Sequence, residues 1–156
     1  MSLSTLIAKQ FRDIYFGGNW TAVDLKQTLA DVTWQDATAK VYSFNTIAIL
    51  VYHMNYYVET VTKVLNDEPL NAKDEYSFNV PPITSQEDWI NLLHTTKADA
   101  ENLANLIEQF PENRLEEIFV NEKYGTYYRN FTGIIEHNHY HLGQIVLIKK
   151  ILAANK

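Results

Sequence analysis

The stretch IIEHNHYHLGQIVLIKK, Ile134 to Lys150, places three of the chain's five histidines at alternate positions. In a strand His137, His139 and His141 share one face as a compact cluster. In a helix only His137 and His141 do, one above the other, with His139 about 200° round from each. The neighbouring apolar residues decide between the two. Ile134, His137, His141, Ile145, Ile148 and Leu152 are separated by 3, 4, 4, 3 and 4 residues, one helical stripe in which two histidines take otherwise apolar places. A strand would require GQIVLIKKIL to alternate, and it does not. The spacing predicts a helix over about Asn130 to Ala153, with His139 on its outward, solvated side.

The same period recurs along the chain. Leu3, Ile7, Phe11 and Ile14 form a first helix that Gly17-Gly18 stops. Ala22, Leu25, Leu29 and Val32 form a shorter stripe, and TWQD, Thr33 to Asp36, reads as a helix start with a carboxylate at the third position. A long helix follows over about Asn45 to Asn66, with Ile47, Leu50, Val51, Met54, Val58, Val61 and Leu65 as its apolar face. Pro81-Pro82 and the turn formers around them make Asp67 to Ser85 a connector, long enough to wall a pocket. The third long helix starts at TSQED, capped by Thr84 or Ser85, buries Trp89, Leu93, Thr96, Ala100, Leu103, Ile107 and Phe110, and ends before Pro111. In the second connector, Ile118 to Val120 is expected as a short strand with Gly125 as a turn.

Composition narrows the function classes. A chain of 156 residues with 46% hydrophobic content is expected to be one domain, 1–156, around a real core. A formal charge of −6 and scattered lysines argue against nucleic acid and anionic lipid as partners. With no cysteine, disulfides, thiolate ligands and a cysteine nucleophile are excluded. The start, MSLSTLIAKQF, lacks the pattern of an export signal, and no run is apolar for about 18 residues. The expectation is a soluble cytoplasmic protein without membrane contact.

Two histidines four apart on a helix can bind one metal ion, since their imidazoles converge beside it. A site with an open position needs a third ligand, which must come from another helix. His53 and His94 are the candidates: His53 continues the line Thr46, Leu50, His53, Tyr57, and His94 lies about 100° off the line through Trp89, Leu93 and Thr96. The alternative reading is that the paired histidines are buried imidazoles hydrogen-bonded to some of the ten tyrosines.

Four long helices, His53 within LVYHMNYY in the second, and HNHYHLGQI early in the last resemble the DinB/YfiT-like family of metal-dependent proteins, over nearly the whole chain. The family pattern HxxxHxGQI is met by His137, His141, Gly143, Gln144 and Ile145, and its third ligand by His53. The acidic catalytic pattern of the DNA polymerase that shares the DinB name is absent. The resemblance implies an all-α antiparallel four-helix bundle with long connecting loops, often a homodimer. It implies a three-histidine site for zinc, nickel or a similar divalent ion. The reaction it implies is that of a metal-dependent hydrolase or a thiol-dependent transferase acting on a small molecule, in some relatives with a low-molecular-weight thiol such as bacillithiol or mycothiol.

Three functions follow as expectations: an enzyme with His53, His137 and His141 as ligands and an open position for water or a thiol; a non-catalytic metal-binding or structural bundle; an interaction module on an exposed helix face. Tyr57, one turn beyond His53, and Gln144, three residues beyond His141, are placed to orient the ligands. Glu136 is a further candidate base, 100° from His137.

Overall fold

Every α-helix begins on a side chain that accepts from an amide the helix itself leaves unpaired. In the computed structural model, which describes residues 1–155, Ser2 caps α1 (Leu3–Phe16), Asp24 caps α2 (Leu25–Thr28), and Thr33 caps α3 (Trp34–Thr38). Thr46 caps α4 (Ile47–Leu65), Ser85 caps α5 (Gln86–Gln109), and Thr126 caps α6 (Tyr127–Ala154). Two 3-10 turns, Asp74–Phe78 and Glu112–Arg114, interrupt the connectors. The described residues are all-helical, with no strand.

Two boundaries differ from the sequence reading. The last helix starts earlier than Asn130, because Thr126 rather than a later residue supplies its cap. The strand expected at Ile118 to Val120 is a single antiparallel bridge between Ile118 and Thr126, too short to be a ladder. Gly125 does turn the chain there, with φ of 74° and with Arg129 Cδ 2.7 Å from where a Cβ would stand. Gly17, at φ 100°, ends α1 as expected.

The four long helices each pack on two others: α1 on α5 and α6, and α4 on α5 and α6. Ser4 meets the Phe110 carbonyl while Arg12, further along α1, reaches back to Glu101, Asn105 and Glu108, so α1 and α5 run antiparallel. Phe11 and Ile14 of α1, Val51 and Met54 of α4, Leu103 and Ile107 of α5, and Phe131 and Ile145 of α6 are fully buried between them. Trp89 is also fully buried, and its indole donates to the Val32 carbonyl at 2.9 Å, fastening the segment before α3 to α5.

The buried face of α6 is rotated from the stripe read in the sequence. Its centre runs Phe131, Ile134, Asn138, Leu142, Ile145 and Ile148, with His141 buried beside it and His137 and Leu152 half-buried at its edge. Asn138 takes a central place because Tyr15, buried on α1, holds it: the Asn138 amide donates to the Tyr15 hydroxyl at 2.9 Å. His139 is a second correction. It is half-buried rather than solvated, in a shallow cleft with Thr21, Val23, Leu142 and Val146, because the segment before α2 folds over that side of α6.

Candidate metal centre

The helical spacing that aligns His137 and His141 brings them to His53 across the α4–α6 contact. His137 Nε2 lies 3.0 Å from His53 Nε2 and 3.1 Å from His141 Nε2, and the ligand atoms of all three residues fall within 4.8 Å of one another. His94 is exposed and takes no part. Nor does Glu136, which is exposed on the outer face of α6.

The outward ring nitrogens are occupied. Ser77 Oγ donates to the Asp74 carbonyl at 2.5 Å and therefore accepts from His53 Nδ1–H at 2.7 Å. Gln144 Oε1, an acceptor only, takes His141 Nδ1–H at 2.7 Å. Asn138 Oδ1 faces His137 Nδ1 at 3.4 Å, a longer and weaker contact. With hydrogen on Nδ1, each neutral imidazole turns its Nε2 lone pair inward. The His137 Nε2 lone pair, about 3 Å from those of both His53 and His141, is repelled by them unless a positive charge stands among the three. Protons are a poor solution, since burial above all, then the neighbouring His141 and His137, push His53 down to about 4. His137 and His141 are also lowered, chiefly by burial. Neutral imidazoles with Nε2 atoms this close fit a zinc-like cation, whose bonds of about 2.0–2.1 Å at tetrahedral angles separate ligand nitrogens by about 3.4 Å.

Aromatic rings and the first connector wall the cluster. Phe78 stacks on His53 with ring centroids 4.2 Å apart, and Tyr57 lies edge-on to His53 and His137 at 5.2 and 4.9 Å. The Tyr57 hydroxyl donates to Asp74 Oδ1 at 2.6 Å, and burial with this acceptor pushes its pKa up to about 12. The Tyr56 hydroxyl accepts from the Lys73 amide, and Tyr140 accepts from Gln144 Nε2. No tyrosine hydroxyl bonds one of the three imidazoles among the described contacts, so the reading of tyrosine-paired histidines does not hold. Gln144 orients a histidine as its spacing predicts; Tyr57 instead anchors the connector.

Ser77, Phe78, Asp74 and Asn138 were not anticipated. Asn138 carried a signal, since it lies four residues after Ile134 and four before Leu142. Ser77 carried none: it is an unremarkable serine in a connector, fully buried only because the Asp74–Phe78 turn packs on α4.

The lowered histidines give the metal-free protein a pH dependence. Below the unfolded pKa of about 6.5 the unfolded chain takes up protons that the folded cluster refuses, so stability is full above that pH and falls as pH drops toward the folded values. Denaturant midpoints measured in chelator are expected to be lower at pH 5 than at pH 7, a window above the ordinary carboxylate range. Equal midpoints would mean that the imidazoles are not held neutral.

Compared with known protein families, with curated proteins and with solved structures, the chain matches none. Fold and site alone define its class, an all-helical protein in which His53, His137 and His141 form a group that could hold a metal ion. No helix among the described residues is long and apolar enough to cross a membrane.

Proposed function

We propose that the chain is a divalent-metal protein of DinB/YfiT-like type, a four-helix bundle built on α1, α4, α5 and α6, in which His53, His137 and His141 bind zinc or nickel. The observation that carries this is the convergence of three Nε2 atoms whose rings have their Nδ1 hydrogens turned outward, to Ser77 and Gln144 above all. The mutual packing of the four long helices supports the bundle.

The function we assign is metal-dependent catalysis on a small molecule, of hydrolase or thiol-dependent transferase type, in a cytoplasmic protein that acts as a homodimer. The ligand count supports it: the cluster contains three residues, whereas structural zinc sites are usually closed by four. A divalent cation held there lowers the pKa of a water or thiol and polarises a substrate carbonyl. The protein's own part is positional. Ser77 and Gln144 fix the His53 and His141 rings, Phe78 covers His53, and Asp74 adds negative charge beside the cluster. The burial of His53 and His141, 4% and 8% exposed, favours a second reading in which the metal only ties α4 to α6.

Metal analysis of protein purified without a histidine tag and loaded with zinc or nickel tests the first step. About one ion per chain is expected; a content near zero overturns the assignment. A screen of low-molecular-weight thiols with electrophiles, and of amide and ester substrates, then separates the enzyme from the structural protein, for which loaded protein turns over nothing.

A further inference from the structure

The outer face of α6 carries a pattern that is its own complement. Glu136, Gly143 and Lys150 stand seven residues apart, so each lies within about 20° of the next round the helix, and the two charges stand about 10 Å on either side of the glycine. All three are exposed, and neither charge has a partner among the described residues. We propose that this face is the interface of a homodimer, in which α6 of one copy lies antiparallel on α6 of the other with the two-fold axis at Gly143. The proposal rests on the homodimer in the reading above, names its contact, and makes no use of the metal.

A two-fold axis across a pair of facing helices reverses height along the helix and keeps left and right, so each side chain meets one from the same flank at the mirrored height. Glu136 then faces the partner's Lys150, and Lys150 the partner's Glu136. Tyr140 and Leu147, three residues before Gly143 and four after it, lie about 60° and 40° round on one flank, so each meets the other across the axis. His139 and Val146 do the same on the opposite flank. The mirrored order selects a second copy as the occupant, since any other partner would match it only by coincidence. Tyr140 and Leu147 are 64% and 53% exposed, which leaves apolar surface in water for the copy to cover. Phe44 beside Leu147, and Val23 beside Gly143 and Val146, widen the apolar strip on the two sides of α6. Gly143 weakens a helix interior, yet nothing in its own chain comes within 4 Å of where its Cβ would stand. Close approach of a second helix at the axis gives it a use. His137 and His141 point about 120° and 160° away from Gly143, so the contact leaves the three histidines uncovered.

Sedimentation equilibrium of the full chain as purified, without a histidine tag, tests the interface. A dimer at micromolar concentration is expected. Glu136→Lys and Lys150→Glu each set like charges opposite one another twice per dimer, and each is expected to weaken association about tenfold. An equimolar mixture of these two variants should recover the wild-type affinity as a heterodimer, because every charge across that contact is again opposite. Gly143→Gln, whose Cβ meets nothing in its own chain, should keep the helical circular dichroism and weaken association at least about tenfold. A monomer at every concentration overturns the proposal and the homodimer reading together. A dimer that both charge variants and Gly143→Gln leave intact overturns the proposal alone and puts the contact on another face. Weakening by the charge variants that their mixture does not recover overturns it as well. Recovery in the mixture, in protein that takes up no metal, upholds the interface while the metal reading fails, so the failures are distinguishable.

Discussion

Replacing His141 by alanine is expected to lower metal affinity by more than about a hundredfold, while His139→Ala leaves it nearly unchanged. The magnitude follows from sharing the roughly 10–16 kcal/mol of zinc binding by a four-ligand site among its ligands, about 3 kcal/mol each. The contrast follows from position. His141 Nε2 lies 3.1 Å from His137 Nε2 inside the cluster, whereas His139 lines a cleft with Thr21 and Val23 on another side of α6. Gln144→Ala should fall between them, with a loss of about 10- to 100-fold, because it frees the His141 ring without removing the ligand. Calorimetric titration of zinc into metal-free protein measures all three. Comparable losses from His139→Ala and His141→Ala would contradict the assignment of the three-histidine cluster as the metal site.

Trp89→Ala is expected to destabilise the fold by about 3–5 kcal/mol, the usual cost of emptying a large buried aromatic site. In a chain of this size that lowers the melting temperature by about 10 °C or more. Trp89 is fully buried and its indole N–H holds the Val32 carbonyl, so the substitution both opens a cavity and orphans an acceptor. Trp89→Phe, which keeps most of the volume and loses only the hydrogen bond, should cost about 1 kcal/mol. Thermal unfolding followed by circular dichroism separates the two contributions; equal shifts for both variants would mean that packing at Trp89 contributes little.

Much of this architecture was legible in the order of residues. Spacings of three and four between apolar residues place side chains on one side of a helix, and this depends only on local geometry. That is why the long helices, the cap at Thr33, a cap at Thr84 or Ser85 that the structure places at Ser85, the stop at Gly17, and the shared face of His137 and His141 could be read from the sequence. The choice of His53 over His94 came from a resemblance; both stand on helices, and spacing separates them only weakly.

What only the tertiary structure decided is which faces meet. His53 and His137 are 84 residues apart, Ser77 bonds an imidazole 24 residues before it, and Asn138 is tied to Tyr15 across 123 residues. No periodicity encodes such pairs, because they depend on how one helix is turned against another and on where a connector lands. The half-buried His139 and the rotated face of α6 have the same origin. A polar residue such as Asn138 can occupy the centre of a buried stripe once another helix supplies its hydrogen-bond partner, and a residue on the outward side becomes covered once a connecting segment folds over it.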